Sequence, residues 1–224
     1  MENLRQKLAS YELKLIFNMD ETGLFFKMLP RTTCLSSKED CATTRGTKGM
    51  RSKDRLTVLV CSNADGSLKV PLAIIGNSKN PRCFHMEKPP LYYMFQNKAW
   101  SDKRTLRDCF FSVFLPFVRA HVPSSKKVAL LMDNFAAHDK DVLAHDRVDV
   151  YCLPPNCTAI HQPMDAGVIA ALKACYRASL LARILEMLPE RQQLQECAKK
   201  LPKSMKGIAE GYVLDSASIL KDSW

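Results

Sequence analysis

The 224-residue chain carries 33 Lys and Arg against 23 Asp and Glu, a net charge of +10 and a pI near 9.2, a balance that favours an anionic partner such as nucleic acid. Its 46% hydrophobic content is enough to bury a full core, which excludes a disordered chain or a minimal scaffold. It has no apolar run of about 18 residues or more, no signal-peptide pattern at Met1–Ser10, and an odd nine Cys with no CxxC pair, so a soluble intracellular protein with reduced thiols and no membrane contact is expected.

Met1–Leu13 is polar and helix-compatible. Leu15–Asp20, LIFNMD, is a strand-like run closing on an acid; Glu21-Thr22-Gly23 is expected to break it, with Leu24–Leu29 returning as an apolar extension before Pro30. Arg31 to Asp54 turns polar and, with the adjoining Arg55, basic, and reads as an exposed loop. Leu56–Ser62 and Leu68–Gly76 are β-rich runs separated by Asn63-Ala64-Asp65-Gly66-Ser67, a hairpin signal, with Pro71 near a bulge or an edge. Lys79–Ser101 is expected to be irregular. Thr105–His121 places Leu106, Phe110, Val113, Phe114, Phe117 and Val118 at helical spacing, so an amphipathic helix should cover one sheet face.

Lys127–His138, KVALLMDNFAAH, is the stretch around which the chain is organised. Val128–Met132 is an unbroken apolar run of the kind buried on both faces in a parallel sheet, and Asp133 sits at its carboxyl end, where open α/β sheets bind ligands. A short helical piece around Ala136–Ala144 and a strand at Val148–Leu153 follow. From Asp165 the positions Val168, Ile169, Leu172, Tyr176 and Leu180 share one helical face, so the Asp165 side chain is expected to look inward; simple helix capping is the alternative. Pro189–Trp224 reads as broken helical pieces.

Asp20 and Asp133 both close strands and Asp165 opens the helix after the next one. If the two strands are neighbours, the three carboxylates meet at one sheet edge and repel one another unless a hard cation such as Mg²⁺ or Mn²⁺ neutralises them. Two ions would then support nuclease or strand-transfer chemistry on a phosphodiester.

The blocks NMDETGLFF within Phe17–Phe26, SKDRLT at Ser52–Thr57, Asn63-Ala64-Asp65-Gly66, GNSKNPRCF at Gly76–Phe84, LMDNFAAH at Leu131–His138 and LPPNCTAIHQPMDAG at Leu153–Gly167 resemble the DDE endonuclease domain of pogo/Tigger-type transposases, whose domesticated relatives include jerky-like and centromere protein B-like proteins. The resemblance runs in order over about Lys14–Leu188. It implies an RNase H-like α/β fold, a mixed five-stranded sheet flanked by helices, in a domain spanning 1–188, with a helical extension at 189–224 that is cut short. It implies a catalytic and metal-binding set of Asp20, Asp133 and Asp165, served by Mg²⁺ or Mn²⁺, two ions, and no small-molecule cofactor. Glu21, Asn134, His138 and Gln162 would support that set without joining it. Glu21 should point to the opposite face of its strand, and His161, where the family usually differs, is not expected to be a ligand.

Lys48, Arg51, Lys53 and Arg55 are candidates for DNA phosphates, since such contacts need only positive charge within reach. The implied partner is DNA and the implied address the nucleus; a homodimer is left open. Proteins of this type usually carry an N-terminal helix-turn-helix reading domain, and the catalytic-like region begins within about twenty residues of Met1, so either a fragment or a product that has lost its reading module is expected. Two functions are therefore expected to compete: a metal-dependent DNA endonuclease with strand-transfer capacity, and a catalytically silent DNA-binding or protein-interaction module.

Overall fold

The computed structural model describes residues 2–26, 54–85, 88–133, 143–154, 162–186 and 220–224. Lys48, Arg51, Lys53, Asn134, His138 and most of the Ala136–Ala144 piece lie outside these residues.

A short helix α1 (Glu2–Leu8) leads into β1 (Ile16–Phe25), the central strand of a mixed six-stranded sheet. Also in the sheet are β2 (Arg55–Asn63), β3 (Ala73–Gly76), β4 (Tyr92–Phe95), β5 (Val128–Met132) and β6 (Val148–Cys152), in the order β4-β3-β2-β1-β5-β6. β1 pairs antiparallel with β2 and parallel with β5, and β5 pairs parallel with β6.

Three expectations change. β1 does not break at Glu21-Thr22-Gly23: its ladder with β2 runs from Phe17↔Asn63 to Phe25↔Arg55 without interruption. Gly23 suits a position where a methyl group would stand 2.8 Å from Arg55 Nε, so the glycine leaves room for the neighbouring strand's arginine. Among the described residues the sheet has six strands and not five, because Tyr92–Phe95 pairs parallel with β3 (Ala73↔Tyr92 to Gly76↔Phe95) in a stretch expected to be irregular. The Leu68–Gly76 run forms regular strand only from Ala73. Upstream of it an isolated bridge Ser62↔Lys69 precedes Pro71, which has no N–H to give to a ladder.

Two cores sandwich the sheet, and the alternation along each strand assigns every side chain to one of them. On one face Phe17, Met19, Leu59, Cys61, Ala73, Ile75, Val128, Leu130 and Met132 pack with Leu106, Phe110, Phe114 and Val118. The last four come from α2 (Lys103–Cys109), a widened π turn (Phe110–Phe114) and α3 (Leu115–His121), together the amphipathic helix foreseen from the spacing. Asp102 caps α2 by accepting the Thr105 N–H at 2.8 Å. The π turn, in which the Leu115 N–H reaches Phe110 O, falls just before Pro116, which has no N–H to close a regular helical bond.

On the other face Leu24, Phe26, Leu56, Val58, Val60, Leu72 and Ile74 pack against α4 (Ile169–Glu186) through Ile169, Leu172, Tyr176 and Leu180. The Tyr176 hydroxyl donates to Phe26 O at 2.9 Å and ties the helix to the end of β1. Leu220 inserts into the same core, and the Trp224 indole N–H donates to Val70 O at 2.8 Å. Among the described residues no helix is long and apolar enough to cross a membrane.

Candidate active site

Alternation places the acids. Odd-numbered residues of β1 face α2 and α3, so Asn18, Asp20 and Thr22 face α4. All three are buried, an unusual run of polar side chains on a core-facing strand, and Asp20 is only 8% exposed. Its Oδ1 accepts the backbone N–H of Glu21 at 2.8 Å. Burial raises the Asp20 carboxyl to about 7, with the charges of Asp165 and Glu21 adding to the rise, while the Glu21 N–H and the Gln162 side chain oppose it.

Asp133 directly follows β5. Val128, Leu130 and Met132 point to the opposite core, so by the same alternation Asp133 belongs to the face of Asp20. The β1–β5 register ends at Asn18↔Leu131; continued two residues, it sets Asp133 level with Asp20.

Asp165 departs from expectation. It is exposed, and it lies in a widened turn (Met164–Val168) that leads into α4. Ala166 with ψ 21° and Gly167 with φ 127° break the helical phase inside that turn, so Asp165 does not share the inward face of Ile169, Leu172 and Tyr176. Val168 is likewise 37% exposed. Asp165 remains close enough for its charge to act on Asp20. Asp20 does not close its strand as expected but lies in the middle of β1, because the ladder with β2 continues to Phe25. Among the described residues no group of three His, Cys, Asp or Glu stands close enough to hold a metal ion, so the acids are a buried Asp20 within β1, a half-buried Asp133 just past β5 and an electrostatically linked Asp165 rather than one closed cluster.

The donor chemistry nevertheless fits a hard divalent cation. Asp20 and Asp133 offer carboxylate oxygens on one face, and Asp20 is a buried acid whose ionised form is destabilised, a deficit that a cation reverses.

The residues expected to support the acids divide between the two faces. Gln162 is 2% exposed beside Asp20, where its Oε1 receives Asn18 Nδ2 at 3.4 Å. The Glu21 side chain points to the opposite face, as its strand position requires, and accepts the Ser101 hydroxyl at 2.8 Å; only its backbone serves Asp20. Arg55 opens β2 with its guanidinium 5.0 Å from the centre of the Trp100 ring and 3.3 Å from Thr57 Oγ1.

Two residues were missed. Asn18 ties β1 to both other acid-bearing segments: its Nδ2 donates to Leu131 O at 3.1 Å and its Oδ1 accepts the Met164 N–H at 3.0 Å. The signal was present, since a polar residue two positions from an inward acid shares its face. Lys173 is half-buried on α4. Its ammonium is held below its usual range, first by burial and then by Arg177, while Asp165 and Asp20 pull the other way. It stands only eight positions after Asp165, but the break in helical phase at Ala166 and Gly167 hid the relation.

Comparison with known proteins agrees with the arrangement of the chain. Residues 53–209 match the family model of the DDE superfamily endonuclease. The human Jerky protein homolog is 36% identical over 160 residues, covering 68% of this chain and 28% of that protein. Tigger transposable element-derived protein 4 of Mus musculus is 30% identical over 188 residues, covering 83% and 34%, and CENP-B homolog protein 2 of Schizosaccharomyces pombe is 30% identical over 199 residues, covering 83% and 36%. The chain thus spans about a third of the length of these relatives. A solved Mos1 transposase paired-end complex with left transposon end superimposes with a TM-score of 0.52 at 14% identity over 100% of this chain and 57% of the other, which establishes the RNase H-like fold. By its family model and its relatives, the chain belongs to the DDE superfamily endonuclease family, in its pogo/Tigger-type branch.

Proposed function

We propose that this chain is the catalytic core of a transposon-derived, DNA-cutting endonuclease, with Asp20, Asp133 and Asp165 as its acids. The observation that carries the reading is the buried carboxylate of Asp20 on the central strand, on the same face as Asp133 and within electrostatic reach of Asp165. Asp20 and Asp133 would hold Mg²⁺ or Mn²⁺, with Asp165 closing the site from the turn before α4. Two such ions, when bound, supply activation of the attacking oxygen and charge stabilisation at the leaving oxygen.

The chain's own residues do the rest. The Glu21 N–H holds Asp20 Oδ1, and the Asn18 contacts keep the Asp165 turn against β1 and the end of β5. Lys173, half-buried on α4 and within electrostatic reach of Asp165 and Asp20, would offer its charge to a phosphate. In hydrolysis a water oxygen bonds to phosphorus as the bond to the 3′ oxygen breaks; the water gives a proton to solvent and the departing 3′ oxygen takes one up, leaving a 3′-hydroxyl and a 5′-phosphate. A 3′-hydroxyl in place of water gives strand transfer. DNA is then the partner, Lys48, Arg51, Lys53 and Arg55 are phosphate contacts, the nucleus is the compartment, and the catalytic unit is residues 1–188 with 189–224 as a helical extension.

Incubating the protein with supercoiled DNA and Mg²⁺ or Mn²⁺ should produce nicked circles, and Asp133→Asn should abolish them. Equal nicking by the variant, or none by the native chain, overturns the reading. The exposed position of Asp165 favours one alternative, a silent DNA-binding module, for which DNA affinity would fall steeply with salt while cleavage stays absent.

A further inference from the structure

We propose that Asn18 and Gln162 form a two-amide relay in which Asn18 fixes the orientation of Gln162, and Gln162 in turn presents its amide N–H group to Asp20 and so positions that carboxylate. The proposal rests on the endonuclease reading only for its consequences, because the orientation of both amides is argued from backbone groups.

An amide side chain can be turned end for end, so its orientation must be argued from its partners. Asn18 leaves no choice. A carbonyl oxygen can only accept, so the atom 3.1 Å from Leu131 O is the Asn18 nitrogen; a backbone N–H can only donate, so the atom that receives Met164 N–H at 3.0 Å is the Asn18 oxygen. With Nδ2 thus assigned, the Gln162 atom 3.4 Å from it must be an acceptor, Oε1. Gln162 Nε2 is then the free end. It is fully buried and makes no hydrogen bond that satisfies ordinary geometry, although the Gln162 side chain acts on the Asp20 carboxyl in the sense expected of a donor. A buried amide nitrogen with two protons and a neighbouring carboxylate has one chemically sensible use. Asn18 is 6% exposed and Gln162 2%, so water does not compete for these groups. The relay also explains why Asp165 returns to β1 and the end of β5 despite the broken helical phase. Gln162 and Met164, both held by Asn18, flank Pro163 and directly precede Asp165.

The test uses the purified chain with Asn18→Asp, Gln162→Met and the double variant. Asn18→Asp keeps the acceptor for Met164 N–H and loses both donations; Gln162→Met keeps length and volume and loses the donor. Mn²⁺ affinity, read by electron paramagnetic resonance of the free ion, should fall on the order of 10–100-fold in each single variant. The double variant should be no weaker than the worse single one, because the two residues act in series. Thermal unfolding of Gln162→Met should stay within about 3 °C of the native chain, which separates positioning from folding. Unchanged Mn²⁺ affinity in Gln162→Met, or additive losses in the double variant, overturns the relay.

If the native chain binds no Mn²⁺ and nicks no DNA, the endonuclease reading fails, and the relay is judged separately by side-chain amide NMR. The two Gln162 Nε2 protons should be well separated in shift and slow to exchange, and should collapse to solvent-like values in Asn18→Asp. Solvent-like Gln162 amide signals in the native chain overturn the relay whatever the activity.

Discussion

Asp20→Asn is expected to make the metal-free protein more stable at neutral pH. In the native fold the Asp20 carboxyl titrates at about 7 against an ordinary 3.8. Between these values the folded chain holds a proton that the unfolded chain has released, so unfolding becomes easier as pH rises through the window, and the full penalty is present above it. The separation corresponds to a ceiling of about 4 kcal/mol at roughly 1.4 kcal/mol per unit, and local relaxation around a half-neutralised site lowers the expected effect to about 2 kcal/mol. The asparagine keeps an oxygen for the Glu21 N–H, which now sits 2.8 Å from Asp20 Oδ1. Urea unfolding in chelator at pH 5 and pH 8 should show native stability falling with pH while the variant changes less. Saturating Mg²⁺ should restore the native chain at pH 8 and leave the variant unmoved, since a ligand that binds only the folded state stabilises by mass action. Identical pH dependence in the two proteins would refute the argument that Asp20 is a buried acid awaiting a cation.

Two further outcomes follow from the same geometry. Lys173→Gln should weaken DNA binding across sequences and lower the salt slope by about one, whereas Lys173→Arg should retain both, as titrations at several salt concentrations would show; an unchanged slope removes Lys173 from the phosphate path. Gly167→Ala meets open space but forces an L side chain to φ 127°, so the urea midpoint should fall by an amount equivalent to about 1–3 kcal/mol with loss of divalent-ion affinity, and a neutral variant would remove the kink as the cause of the exposed Asp165.

Much of this site was legible in sequence because it rests on short-range periodicity. The apolar run Val128–Met132 closing on Asp133 is a buried β5, and Ile169, Leu172, Tyr176 and Leu180 do cover one sheet face. The spacing failed at Asp165 because two residues with non-helical backbone lie between it and the helix proper, and a period cannot be carried across such a break. The β4 strand was hidden because its hydrogen bonds go to β3, about twenty residues away in sequence, and four residues are too few to carry a period.

The sequence by itself determined the acids, their order along the chain and the strand end on which Asp133 sits, since these depend on residue identity and local pattern; it misplaced Asp20, which lies within β1 and not at its end. Only the tertiary structure decided which groups meet. The β1–β5 register brings Asp20 level with Asp133, the fold buries Asp20 deeply enough to raise its pKa, and Asn18 reaches 146 positions along the chain to hold Met164. Burial and long-range hydrogen bonds are properties of the assembled sheet and its covering helix, and no window of sequence contains both partners.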